Sequence, residues 1–450
     1  MFHYLKQLHL WAYYMQTKKN KLITYAYFAC LFINYEFFIV ITTLVIFLHV
    51  FKIKEFYLEA TVSKFILSIF YIFKYLSAIF NFDIFWKLSS LKSYHSNAKF
   101  LDMQAFLIPI KCRSLNGMGK IKIIGTEDFF ECSFKSSYGP LDQLFSINLN
   151  LFFTTFLFSL LLTLFLLKIS FEILNHNQKN IFVISIIFLS PPLNFLHQRM
   201  NIDLFIFIVI YYVSKKYFKN QSFLFYFLLI LLSLIKIYII FIFIIYSIYY
   251  FLIKEYKLLL QSSFSLFSSL FIYYYYGYFE SISNLTSIKP YRPDRVYGIY
   301  AEVIKLEKLG LKNFYLIFII IFIIYSIYFY KEEKLLNRNN NIFTSIEVWP
   351  SLFLFLGTCL YTNYDYRIAL LIFISYIFLE VDTKYKFVFL IFLYSHPSLI
   401  HGYKESFAIV ESNFIYFLDT TFLIFLHFIF IDFIAFLKNQ FFIMNKENNI

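Results

Sequence analysis

A chain of 450 residues that is 60% hydrophobic and 15% charged is too apolar for an ordinary soluble domain, which runs at about 45–50% apolar and about 25% charged. The formal net charge of +13 would point to nucleic acid in a soluble protein. Here Lys and Arg lie between apolar runs, where membrane proteins collect them in cytoplasmic loops, so membrane lipid is the expected surrounding and nucleic acid is not an expected partner.

The runs have helical length. A hydrocarbon core about 30 Å thick takes roughly 20 apolar residues as a helix. Residues 22–51, 144–167, 313–330, 344–361 and 412–437 meet or approach that length. Shorter or interrupted runs cover 62–86, 181–196, 202–213, 222–252, 264–279, 368–380 and 386–395. Lipid-embedded backbone must satisfy its own hydrogen bonds, so the runs read as helices. The alternation of a membrane β-barrel is missing from stretches such as Leu151 to Leu167. The expected fold is all-α, a polytopic transmembrane bundle of roughly 11–13 helices with an outer loop subregion.

In chain order, residues 1–86 are N-terminal membrane or interfacial segments, whose first long run serves as a signal anchor. Lys6, Lys18, Lys19 and Lys21 suggest a cytoplasmic start. Two full crossings at 22–51 and 62–86 would then return the chain to the inside before 87–143. Either the N-terminus is outside, or one segment does not cross: 62–86, the weaker because Lys64 and Lys74 interrupt it, or part of 22–51 is expected to lie on the surface or fold back. Residues 87–143 form an outer loop, near the lower size limit for folding alone. Cys112 and Cys132 both lie there and form a disulfide if the loop faces an oxidising compartment. Cys30 and Cys359 fall in apolar runs and read as small buried residues.

Residues 144–437 are the transmembrane bundle and 438–450 a polar cytoplasmic tail. The clusters Lys215, Lys216, Lys219; Lys254, Lys257; and Lys331, Lys334, Arg338 mark inner loops. The outward segments are then 87–143, about 192–201, the link at Lys236, 280–312, 362–367 and 396–411. The segment 280–312 is unusually basic for that side, with Lys289, Arg292, Arg295, Lys305, Lys308 and Lys312. Phosphate-bearing substrates would account for that charge, and so would the inverted topology. No zinc-type spacing of Cys and His occurs, and no metal or cofactor is expected.

Ionisable residues within or beside apolar runs are costly and are the first functional suspects. Four places qualify: Asp102 and the stretch to Arg113; Ser190-Pro191-Pro192 through Arg199-Met200-Asn201-Ile202-Asp203; Lys236; and Asn363-Tyr364-Asp365-Tyr366-Arg367. Each also has a plain structural explanation. The prolines break a helix. Arg199 and Asp203, four apart, pair along one helix face. Lys236 snorkels from the end of a short helical hairpin. Arg367 anchors at the interface, and Asp102 is a loop acid.

Taken in order, these features resemble a bacterial GT-C class glycosyltransferase family, glycosyltransferase family 87, mannosyltransferase-like and dependent on polyprenyl-phosphate sugars. The resemblance rests on Asp102 opening the outer loop and Tyr138-Gly139-Pro140 closing it. The Ser190-Pro191-Pro192 element, the step Arg199 to Asp203, Leu234-Ile235-Lys236-Ile237-Tyr238 and Tyr364-Asp365-Tyr366-Arg367 complete it. It covers roughly 95–380; Met200 stands where the family has Gly, and Ile239 where it has Pro. It implies a multi-pass enzyme of the bacterial inner membrane with its active site on the outer face. Such an enzyme moves a sugar from a polyprenyl-phosphate donor to a glycan or glycolipid acceptor with inversion.

Inverting transfer needs one carboxylate to take the acceptor hydroxyl's proton and cations to stabilise the leaving phosphate. Asp102 is the expected base, with Glu127, Asp128 and Asp142 as substitutes. Arg199 and Arg367, then Lys236 and His396, are the candidate phosphate ligands. Tyr138, Asn201 and Asp203 are supporting residues, the last two holding Arg199 and a helix start. Two other membrane classes compete: a polysaccharide or lipid-linked oligosaccharide flippase, for which internal repeats are lacking, and an O-antigen-type polymerase or ligase, for which a long late loop is lacking.

Overall fold

The computed structural model describes residues 2–33, 35–50, 53–80, 100–115, 119–124, 129–132, 140, 147–217 and 223–277. Beyond these it describes 296–297, 349–359, 363–364, 369–373, 375, 389–390, 393–394, 429, 432 and 436. The described chain is mostly helical, 84% of it. Its helices are α1 (Phe2–Ile33), α2 (Tyr35–Val50), α3 (Ala60–Phe80), α4 (Leu101–Ser114), α5 (Leu151–His176), α6 (Ile181–Phe188), α7 (Pro191–Arg199), α8 (Ile202–Tyr217), α9 (Phe223–Ile235), α10 (Ile240–Leu252), α11 (Tyr256–Tyr275), α12 (Trp349–Cys359) and the single turn α13 (Ala369–Ile372). The exceptions are two short antiparallel ladders, β1 (Lys120–Lys122) with β2 (Phe129–Glu131) and β3 (Val296–Tyr297) with β4 (Asn363–Tyr364).

Two helices, α3 and α5, are long and apolar enough to cross a membrane, and three if the bent pair Gln178–Phe188 and Pro191–Arg199 counts as one span. They lie side by side in opposite directions. At one end, the Tyr75 hydroxyl donates to the Phe156 carbonyl (2.9 Å), and Phe100 packs on both rings. At the other, the Lys64 ammonium donates to Asn175 Oδ1 (2.6 Å), and Lys215 of α8 reaches Glu172 (3.2 Å).

Of the two N-terminal runs, 22–51 is the one that folds back. The run 22–51 folds back on itself between Ile33 and Tyr35: the Tyr27 and Thr42 hydroxyls are 2.6 Å apart, and Tyr27 stacks on Phe38 at 5.0 Å. The run around 62–86 holds a 21-residue helix despite its two lysines. Their partners explain why. Lys64 sits in the first turns and pairs with a polar side chain, while Lys74 is buried with its ammonium bonded to the side chain and carbonyl of Asn194. A buried cation survives when it is hydrogen-bonded.

The α1–α2 hairpin reaches only halfway along α3, where Tyr35 stacks on Phe70 at 5.9 Å. There it meets the bend between α6 and α7, which measures 54°. Pro191 and Pro192 occupy the first positions of α7. Lacking N–H groups, they cannot continue the ladder of α6. Carbonyls around the bend accept from distant tyrosines. The Tyr71 hydroxyl donates to Phe188 O, Tyr35 to Leu189 O (2.7 Å) and Tyr394 to Ile186 O (2.7 Å).

The run 222–252 is a hairpin, as the link at Lys236 implied. Lys236 is extended (φ −142°, ψ 121°), ends α9 and is followed by a short 3-10 turn, Ile237–Ile239. Phe225 of α9 packs on Tyr246 of α10 at 6.3 Å, and Leu234 meets Ile240 near the turn. Helix α11 packs along both. Its buried face is Ser262, Ser265, Ser269 and Tyr273. Ser262 donates to the Phe243 carbonyl (2.9 Å), the Ser233 and Ser269 hydroxyls are 2.8 Å apart, and Tyr273 donates to Ser233 O (2.8 Å). Its outer face is Leu260, Phe264, Phe267, Phe271, Tyr274 and Tyr275, all exposed. Polar inside and apolar outside is the inverse of a soluble helix, and small residues at the seam let backbones approach closely.

Candidate functional site

Three segments remote in the chain meet at one place. The first is the start of α4. Its opening residue Phe100 is left-handed (φ 53°), and Asp102 lies in the first turn, where the helix N-terminus favours a carboxylate. The rest of α4 is held by a small covalent unit. Cys112 and Cys132 are disulfide-bonded, so the open question of that pair resolves to a bond. Gln104 clamps the backbone of Ile124, accepting its N–H (2.8 Å) and donating to its carbonyl (3.2 Å).

The second segment is the junction of α7 and α8. Met200 ends α7 in the left-handed conformation (φ 46°, ψ 53°). The Asn201 N–H bonds to Leu196 O (3.0 Å) and the Met200 N–H to His197 O (3.3 Å), which is the Schellman arrangement that usually carries glycine. A left-handed residue costs an ordinary side chain about 1–2 kcal/mol, and the full burial of the Met200 side chain offsets it. Asn201 then caps α8: its Oδ1 accepts from the Asp203 N–H (2.9 Å).

This junction turns Arg199 and Asn201 toward Asp102. Arg199 donates from both Nε (2.9 Å) and Nη2 to Asp102 Oδ1, and Asn201 Nδ2 donates to Asp102 Oδ2 (2.6 Å). Arg199 also lies over the Phe195 ring at 5.6 Å. The carboxylate side chain is 13% exposed and the guanidinium 34%, so the pair is set at a surface without being fully solvated.

The third segment is the α9–α10 turn. The Tyr238 hydroxyl donates to Asp203 Oδ1 at 2.5 Å, which brings the half-buried Lys236 turn to the same end of the helices. A continuous path of hydrogen bonds therefore links Tyr238, Asp203, Asn201, Asp102 and Arg199.

The sequence reading differs from this at Arg199, Asp203, Asn201 and Tyr238. Arg199 and Asp203 do not share a helix face, because the left-handed Met200 breaks the helix between them; the guanidinium turns to Asp102 and the Asp203 carboxylate receives Tyr238. Asn201 holds the carboxylate as well as the helix start. Tyr238 was read as part of a motif and not as a site residue; its place beside Lys236 in an otherwise apolar stretch was the available signal. Arg367, His396 and Tyr138, with Glu127, Asp128 and Asp142, lie outside the described residues. Of the late motif, the backbone of Asn363–Tyr364 pairs with Val296–Tyr297. Among the described residues no group of His, Cys, Asp and Glu is arranged to hold a metal ion.

No family model matches the chain, and neither does any curated protein or solved structure.

Proposed function

We propose that the chain is a polytopic membrane glycosyltransferase of the GT-C type. It transfers a sugar from a polyprenyl-phosphate donor to a glycan or glycolipid acceptor with inversion, on the outer face of a bacterial inner membrane. The observation that carries this reading is the meeting of Asp102 with Arg199 and Asn201, about 100 residues away in the chain, at one end of the membrane-length helices.

In the reaction, the acceptor hydroxyl oxygen attacks the anomeric carbon while the bond from that carbon to the phosphate oxygen breaks. The hydroxyl proton passes to the Asp102 carboxylate, and polyprenyl phosphate leaves with the electron pair. A carboxylate oxygen has two acceptor positions, so donation by Asn201 to Oδ2 leaves the oxygen competent to take a proton. Arg199 occupies the other carboxylate oxygen, Oδ1, with two donors. A donor phosphate competes for that guanidinium, which binds phosphate through paired N–H groups. Donor binding would thus free the base and neutralise the leaving group in one movement. Lys236, on the adjoining turn, is the second described cation for the phosphate.

Sidedness is supported by two features. The Cys112–Cys132 disulfide in the Asp102 unit suits an oxidising compartment. Lys64, Lys215, Lys216, Lys254 and Lys257 fall at the opposite helix ends, as cytoplasmic lysines do.

A flippase or other transporter is the second reading. It is favoured by the broken α6–α7 pair meeting the α1–α2 hairpin halfway along α3, since discontinuous helices at mid-depth are a transporter device.

The test is Asp102→Asn in membranes supplied with a polyprenyl-phosphate sugar. Loss of the base lowers transfer about 10²–10⁴-fold. Undiminished transfer removes Asp102 from the mechanism.

A further inference from the structure

Beneath the Asp102 site, on the opposite face of α7, a second polar cluster lies within the apolar helices. Three helices contribute residues at helical spacing: Lys74 and Ser77 from α3, Thr155, Ser159 and Thr163 from α5, and Asn194 and His197 from α7 with Ser190 just before it, all buried. The helices are tied to one another through these residues or their neighbours. Lys74 donates to the Asn194 side chain and carbonyl, the Thr163 hydroxyl is 3.0 Å from His197 Nε2, and Tyr75 bridges α3 to α5. The Tyr71 ring lies edge-on to the His197 ring at 4.8 Å.

The proton placement follows from these bonds. The Thr163 hydroxyl donates to Ser159 O at 2.8 Å, so it accepts from His197 Nε2–H. His197 Nδ1 is then a buried ring nitrogen without a protein partner among the described residues, and so are the oxygens of Ser77, Thr155, Ser159 and Ser190. Lys74 has three donor hydrogens, of which Asn194 accounts for two. Buried polar groups in folded proteins find partners, and where protein supplies none, water does, typically with about three hydrogen bonds each. Backbone that leaves the helix at membrane depth, as at the α6–α7 bend, is tolerated where it is enclosed in protein or borders water.

We propose that the α3–α5–α7 interface is a water-binding site, a hydrated pocket running from the α6–α7 bend toward the Tyr75–Phe156 end of α3 and α5, whose water molecules bridge Lys74, His197 and the serine and threonine hydroxyls. The ligand it takes is a small hydrogen-bonding molecule that both donates and accepts. The pocket also solvates a lysine that would otherwise be a cation in an apolar interior. It stands independently of the transferase reading, since the groups that build it do not include Asp102, Arg199 or Asn201.

Hydration is measurable through thiol chemistry, because methanethiosulfonates react with the thiolate, which forms only in contact with water. The full chain is reconstituted in lipid vesicles as Cys30→Ser/Cys359→Ser, with the Cys112–Cys132 bond kept intact. Ser77→Cys and Ser159→Cys are then compared with Leu161→Cys, whose position on α5 is exposed on the outside of the helices. Each is treated with 2-aminoethyl methanethiosulfonate, and modification is followed by intact mass. A hydrated pocket gives labelling at position 77 or 159 about tenfold or more faster than at 161. Labelling at both no faster than at 161, in variants that elute from a sizing column like the parent, overturns the proposal.

Discussion

Whether Asp102 and Arg199 act on each other is decided by a double-mutant cycle of Asp102→Ala, Arg199→Ala and the pair. Fully exposed ion pairs couple by about 0.2–1 kcal/mol, whereas breaking a buried one costs about 3–5 kcal/mol. With the carboxylate 13% exposed and the guanidinium 34%, this pair falls between those limits. Two donors from one guanidinium to Oδ1 add to its strength. Charge-assisted hydrogen bonds are worth about 1.5–3 kcal/mol, and the exposure of the arginine discounts that figure, so the expected coupling is about 1–2 kcal/mol. Each single variant should lower the unfolding midpoint in detergent, followed by tryptophan fluorescence, and the double variant should lose less than their sum. Additive losses, with coupling below about 0.3 kcal/mol, would mean that the two side chains do not meet in solution. The convergence on which the transferase reading depends would then be gone.

Other expectations follow from the same structure. Tyr71→Phe leaves the Phe188 carbonyl at the α6–α7 bend without its donor, and a buried carbonyl so left costs about 1–3 kcal/mol; an unchanged midpoint would mean that another group supplies it. On α11, Ser269→Leu forces bulk into the Ser233 contact and should cost about 1–3 kcal/mol, while Phe267→Leu on the exposed face should stay within about 0.5 kcal/mol. The reverse ranking would place the aromatic face inside an interface. Replacing Cys112 and Cys132 together by Ala opens a crosslink spanning 20 residues, worth about 3 kcal/mol by chain entropy. The α4–β-hairpin unit should become more sensitive to limited proteolysis, and an untouched digestion pattern would argue that the Gln104 clamp suffices. Met200→Gly relieves a left-handed side chain worth about 1–2 kcal/mol but empties a fully buried position, where loss of Met costs about 2–5 kcal/mol. The net expectation is destabilisation, and a raised midpoint would show that the backbone effect dominates.

Much of the architecture is legible in composition and run length. A chain this apolar lies well outside the average composition of soluble domains, and the runs at 62–86 and 144–167 foreshadow the two membrane-length helices. The prolines at 191 and 192 announce a helix break, because neither has an N–H to donate. Asp102, Arg199 and Asn201 stand out in sequence because polar groups beside apolar runs are costly. Pairing is another matter. Spacing four apart links Arg199 to Asp203 only if the helix is unbroken, and a left-handed methionine between them sends the guanidinium to a carboxylate 97 residues earlier. Run length also treats 22–51 as one crossing, since hydropathy does not register a reversal at a single position. The fold-back is decided by side chains meeting across it, such as Tyr27 and Thr42. Hydropathy sums over a local window, whereas the hydrogen bonds that turn a lysine such as Lys74 into a buried core residue come from helices more than 100 positions away. Local chemistry thus determined that this protein is a set of apolar helices with a few expensive polar residues, and only the tertiary packing decided which of those residues face each other.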